Sequence, residues 1–140
     1  MEYYGAAASC HTLIFTRPGK NIMGMAANIV IGIVALLHVY FLVLEMFLWD
    51  QPLGMKTFRN SPEKAATTKV LAANQGLYNG FLAAGLIWGI VQGAAGLQFK
   101  VFFLCCVIVA GVYGALSVSR RILLVQALPA AIGLALVLLA

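Results

Sequence analysis

Long apolar runs, separated by short polar segments, dominate the pattern of this chain. Four of them come close to the roughly 20 residues that a helix needs to cross the hydrocarbon core of a bilayer. They extend over about residues 27–49, 70–91, 99–118 and 122–140. The pattern therefore predicts an all-α membrane protein, in which four transmembrane helices form a compact bundle.

The polar segments indicate how these helices are joined. Residues 50–69 separate the first two runs and hold two prolines and most of the charged side chains. Within them, Ser61 followed by Pro62 is typical of a helix start, so the second helix is predicted to begin before it enters the lipid. Only residues 119–121 separate the third and fourth runs, which predicts a tight helical hairpin.

The first 24 residues form no run long enough to span a bilayer. They also lack the order of a signal peptide, in which a charged start precedes an apolar middle and a small-residue cleavage site. We interpret residues 1–24 as a disordered leader or an upstream extension of the reading frame, and residues 25–140 as the four-helix transmembrane domain.

Composition supports the membrane assignment. Of 140 residues, 63% are hydrophobic and 9% are charged, whereas a soluble domain has roughly 45–50% apolar and about 25% charged residues. The net charge of +5 comes from lysines and arginines scattered over termini and loops. Because they form no basic stripe, they indicate membrane topology, with the bilayer as partner and no nucleic acid.

The distribution of basic residues predicts the orientation. Six of the nine lysines and arginines lie in residues 50–69 and 119–121. Since cytoplasmic loops of membrane proteins are rich in Lys and Arg, both loops are predicted to be cytoplasmic. The protein is therefore expected to be a multi-pass protein of the bacterial inner membrane.

Polar side chains interrupt the apolar runs in a regular way. His38 and Glu45 lie seven residues apart, within about 20° on a helical wheel, and ionisable residues in membrane helices usually face a bundle interior or a watery cavity. We therefore expect Glu45 to face inward and to hydrogen-bond with the second span or with His38. At about 1.5 Å per residue, polar groups of four helices reach similar depths. They predict a pocket open to one side, formed by His38, Glu45, Trp49, Asn74, Gln75, Tyr78, Asn79, Tyr113 and Gln126.

Simpler interpretations remain for several of these residues. Gln126 can hydrogen-bond between helices as a purely structural contact, and Trp49 and Tyr113 can be packing or interfacial aromatics. Glycines of the second run, such as Gly76 and Gly85, allow close helix packing and could also supply a homodimer interface. No metal-ligand spacing or cofactor motif occurs, so we expect neither a metal nor a cofactor.

Two motifs carry a resemblance to a known family. The pattern H-x-Y-F-x-x-x-E-M-F-x-W extends from His38 to Trp49, and N-Q-G-L-Y-N-G extends from Asn74 to Gly80. From about Met25 to its end, the chain resembles a bacterial membrane family known as domain of unknown function 1304. The resemblance implies a small four-helix integral membrane protein and supplies no catalytic residue.

Three functions stay open at this point. The first is binding or transport of a small amphipathic or cationic molecule, with Glu45 and His38 as proton-linked or cation-binding groups. The second is an intramembrane enzyme, isomerase-like, that acts on a lipid-like substrate. The third is an assembly subunit without a ligand.

Overall fold

The computed structural model describes residues 18–140, whose regular structure is helical throughout. Residues 1–17, and with them most of the predicted leader, lie outside the described residues. A 3-10 turn joins α3 to α4, and a π-helical turn leads into α5. The five helices are α1 (Pro18–Met46), α2 (Pro52–Phe58), α3 (Pro62–Val91), α4 (Leu97–Ser117) and α5 (Leu128–Leu139). The all-α prediction is confirmed.

The four long helices form a ring. α1 packs against α3 and α5, and α4 packs against the same two neighbours. Since each connection joins adjacent helices, the chain runs up and down around the bundle. We call the end with the α1–α3 and α4–α5 connections the basic end, because it holds Lys56, Lys64, Arg120 and Arg121. The other end, with the 3-10 turn, is the turn end.

The predicted start of the second long helix is confirmed. Proline at a first helical position removes an N–H that would have no partner, and α3 begins at Pro62. The hydroxyl of Ser61 accepts a hydrogen bond from the backbone N–H of Lys64 at 3.3 Å, which caps the helix. At the α4–α5 hairpin, the N–H of Ser119 donates to the carbonyl of Gly114 at 3.1 Å, as expected of a tight connection.

The apolar core fills the half of the bundle nearer the turn end. Its members come from all four long helices and include Ile31, Leu86, Leu104 and Ala130, each fully buried. Burying aliphatic side chains of this size stabilises a fold by about 1.5–3 kcal/mol each. The polar site lies beyond this core, toward the basic end.

Glycines let the helices approach within the bundle. A side chain at Gly76 would place its Cβ 2.6 Å from Cγ of Met46 on α1, and one at Gly80 would meet Leu42 on the same helix. On the other side of α3, Phe103 of α4 covers Gly85. We expected these glycine faces to be available for a homodimer, and this expectation is corrected: α1 and α4 of the same chain occupy them.

Two helical stretches are long and apolar enough to cross a membrane, Ile22–Met46 and Gly93–Ser117, with mean hydropathies of 2.4 and 2.2. The stretch Leu123–Leu139 is apolar but shorter. α3 has 30 residues, but its polar side chains lower its mean hydropathy. By length and composition, the described part of the chain therefore has two such helices and not the predicted four.

Candidate functional site

The site is built around a carboxylate in the last turn of α1. Glu45 is 9% exposed, and Gly76 allows α3 to lie directly against it. Asn79, also buried, donates a hydrogen bond from Nδ2 to Oε2 of Glu45 at 2.7 Å. The same Nδ2 lies 3.3 Å from the carbonyl of Gln75, which orients the amide. The prediction that Glu45 faces inward and bonds to the second span is confirmed.

The second oxygen of Glu45 remains available. None of the described residues donates a hydrogen bond to Oε1, and Oε1 is not among the enclosed polar atoms without a partner. This oxygen therefore keeps contact with the space next to it. A carboxylate held by one neutral amide, with one free oxygen, can still accept a donor or a cation from a ligand.

A cavity of about 260 Å³ lies next to this oxygen, between the end of α1 and the first half of α3. It is a cleft that is open to the outside and not a closed void. Polar and apolar side chains share its wall, which consists of Glu45, Trp49, Asn60, Lys64, Thr68, Leu71, Ala72 and Gln75.

The aromatic wall of the cavity is fixed on both sides. Trp49 donates from Nε1 to the hydroxyl of Thr68 at 3.0 Å, and that hydroxyl donates to the carbonyl of Lys64 at 2.7 Å. The ring of Phe58, at the end of α2, lies 4.7 Å from the indole. Such contacts hold the indole in one orientation beside the carboxylate.

The two lysines near the cavity differ in their pairing. Lys69 forms an ion pair with Asp50, with 2.7 Å between Nζ and Oδ2. The hydrogen bond from Lys69 lowers the pKa of Asp50 below its ordinary value. Lys64 borders the cavity, and no described carboxylate pairs with it.

The structure brings together some of the predicted pocket residues. Glu45, Trp49 and Gln75 line the cavity, and Asn79 supports Glu45 from behind. Gln126 is half-buried on the π-helical turn before α5 and does not line the cavity. The others lie on the outer surface of the bundle: Asn74, Tyr78 and Tyr113. The expected convergence of polar groups from four helices is therefore corrected to two helices, α1 and α3. The predicted arc on the second helix, about 140° wide, is broader than the surface that α1 covers.

His38 lies deeper than the cavity. It is fully buried, and its Nδ1 lies 2.8 Å from the carbonyl of Val34, so Nδ1 carries the proton in that contact. Its Nε2 is enclosed and has no partner among the described residues. His38 therefore shares the face of α1 with Glu45, but neither lines the cavity nor bonds to the carboxylate.

Three lining residues were missed from the sequence: Asn60, Lys64 and Thr68. They belong to a segment read as a polar connection, so the helical wheel was not extended to them. The helix start at Pro62 was the signal that could have found them. Continued from Pro62, the helical spacing places Lys64 and Thr68 on the same stripe as Ala72 and Gln75.

Histidine, cysteine and carboxylate side chains do not cluster in the described residues: no group of three could hold a metal ion. Comparison with known proteins gives a family. The model of a family described as a protein of unknown function, DUF1304, matches residues 32–138. The uncharacterized protein YpaA of Lactococcus lactis subsp. lactis (strain IL1403) is 32% identical over 96 residues, which cover 67% of this chain and 81% of YpaA. No solved structure matches the chain.

Proposed function

Because this chain belongs to the DUF1304 family of proteins of unknown function, we propose its function from its own cavity. It is a multi-pass membrane protein that binds a small amphipathic cation at Glu45. The observation that carries this proposal is the buried carboxylate with one oxygen free beside an open cavity.

Exposure of the apolar helices supports the membrane location. In the two most apolar stretches, only 33% and 22% of the residues are buried, whereas the core helix of a soluble protein is mostly buried. Large contiguous apolar surfaces of this kind mark contact with a membrane or a partner. α3 and α5 lie between α1 and α4 in the ring, so all four cross if those two do.

The basic end supplies the orientation of the proposal. Both connections at this end carry lysines or arginines, and such loops face the cytoplasm in multi-pass proteins. We therefore place residues 50–69 and 119–121 on the cytoplasmic side of a bacterial inner membrane. The cavity then opens toward the cytoplasm and the adjoining lipid headgroups.

The chemistry of the cavity favours a cation. The free oxygen of Glu45 attracts positive charge in a site shielded from bulk water, and the indole of Trp49 adds a face that attracts ammonium groups. The volume of about 260 Å³ lies below the ~300–1,000 Å³ of sites that enclose drug-sized ligands. The cavity therefore holds a cationic headgroup, and the apolar tail lies outside it in the lipid.

The packing of the bundle favours binding over the other functions. The core beyond Asn79 is filled by buried aliphatic side chains, so transport by one copy requires a rearrangement of that core. An isomerase requires a second proton-exchanging group at the substrate, and His38 does not line the cavity. Binding is proton-linked, because a proton and a ligand cation compete for the same carboxylate.

The test uses decyltrimethylammonium and the full chain in neutral maltoside micelles, with affinity measured by calorimetry. We expect Glu45→Gln to weaken binding at least tenfold, about 1.4 kcal/mol, and to remove the rise of affinity with pH. Glu63→Gln is the matched control, because Glu63 is an exposed carboxylate in the first turn of α3. Equal affinity of the wild type and Glu45→Gln would overturn the proposal.

A further inference from the structure

A second charge borders the cavity that holds Glu45. Lys64 lies in the first turn of α3 and contributes to the cavity wall. Asp50 neutralises the neighbouring Lys69, whereas Lys64 faces no carboxylate partner among the residues from 18 to 140. The cavity therefore presents a negative group near its inner end and a positive group near its mouth.

The two charges are too far apart to neutralise one another. Glu45 packs beside Gly76, and Lys64 lies twelve residues before Gly76 on the same helix, or about 18 Å along its axis. The flexible stem of lysine shortens this distance, but the two side chains form no ion pair. Both charges remain available to one bound molecule.

Asn60 adds a donor beside Lys64. Its side-chain Nδ2 is enclosed and has no acceptor among the described residues, and Asn60 also lines the cavity. A buried donor without an acceptor costs free energy unless a ligand or a water satisfies it. An anionic oxygen near Lys64 can accept a hydrogen bond from this amide.

From these observations we infer that the ligand is a zwitterion. Its ammonium group contacts Glu45 and Trp49, and its anionic group, a phosphate or carboxylate, lies against Lys64 and Asn60. A simple cation leaves the charge of Lys64 uncompensated, and a simple anion is repelled by Glu45. Only a molecule with both charges complements the whole cavity. This inference rests on the proposed binding of a cation at Glu45.

The test compares two probes with the same tail and the same trimethylammonium group. Decylphosphocholine carries an additional phosphate that decyltrimethylammonium lacks. In maltoside micelles, where no zwitterionic lipid competes, we expect the wild type to bind the phosphocholine about tenfold more tightly. Lys64→Gln should remove this preference without weakening the binding of decyltrimethylammonium. Lys56→Gln, a change of an exposed lysine on α2 that does not line the cavity, should keep the preference.

The outcomes separate the two proposals. If Lys64→Gln keeps the full preference for phosphocholine while Glu45→Gln weakens both probes, the zwitterion is excluded and cation binding stands. If Glu45→Gln leaves decyltrimethylammonium binding unchanged, the proposed function itself fails. Glycerophosphocholine, which has no tail, identifies the source: displacement of decylphosphocholine supports a soluble zwitterion, and no displacement supports a lipid headgroup.

Discussion

Two ionisable side chains at opposite ends of the bundle are equally buried, and the protein uses them differently. Glu45 near the basic end and Lys100 near the turn end are each 9% exposed. Lys100 lays its stem over Gly89 and donates from Nζ to the carbonyl of Gly93 at 3.3 Å. Glu45 receives one amide and keeps one oxygen for the cavity. A buried charge therefore indicates a binding site only when one of its atoms is left for a ligand.

The surroundings of the two groups explain this difference. At the turn end, the backbones of Gly89 and Gly96 touch, so the helices meet with no space between them. At the basic end, the longer connection through α2 separates α1 from α3, and side chains line the gap. The tight turn makes Lys100 part of the packing, and the open connection leaves Glu45 accessible.

The largest expected effect comes from opening the turn end. A Cβ at Gly96 would collide with the carbonyl group of Gly89, which is backbone and cannot move aside. We expect Gly96→Ala to destabilise the protein by about 3 kcal/mol or more, measured by thermal unfolding in micelles. Gly32→Ala is the control, because nothing lies within 4 Å of its added Cβ. A Gly96→Ala protein that unfolds at the wild-type temperature would contradict the close contact.

A smaller effect tests the comparison of the two charges directly. Lys100→Met keeps the apolar stem and removes the hydrogen bond to Gly93, so we expect a loss of about 1 kcal/mol in unfolding free energy. Binding of decyltrimethylammonium should remain unchanged, because Lys100 lies far from the cavity. Glu45→Gln should show the reverse pattern, with weaker binding and nearly unchanged unfolding. If Lys100→Met weakens binding as strongly as Glu45→Gln does, the two buried charges have the same role.

The smallest expected effect concerns the ion pair of Asp50 and Lys69 outside the bundle. Because Lys69 lowers the pKa of Asp50 from its ordinary value of 3.8, the pair adds stability above that pH, and the gain disappears as pH falls through the lowered pKa. Asp50→Asn should therefore reduce the unfolding temperature slightly at neutral pH and not at all in strong acid. An equal reduction at both pH values would show that the effect of Asp50 is not electrostatic.

The sequence predicted the contact at the centre of the site for a physical reason. A carboxylate within an apolar helix is costly in lipid, so Glu45 had to face a polar neighbour, and Asn79 on the next long helix supplies it. The helix start at Pro62 followed from proline and serine chemistry in the same way. Both predictions rest on strong local constraints that tertiary packing does not override.

The sequence could not predict which polar residues of α3 face α1. The helical wheel groups residues by angle, but the crossing of two helices decides how much of that angle is covered. Tyr78 therefore lies on the outer surface although it shares an arc with Asn79. Tyr113 is at a suitable depth but points away from the bundle interior, at 72% exposure. Depth and angle together do not determine contact.

The cavity is contained in one continuous part of the chain. All of its lining residues lie between Glu45 and Gln75, and Asn79 completes the support of the carboxylate. During synthesis, the chain that forms the site has therefore been made before α4 and α5 exist. Contacts between neighbouring segments form early, because little chain entropy is lost in closing them. The first helical hairpin thus carries the complete site into the membrane, and the second hairpin packs against a cavity that already exists.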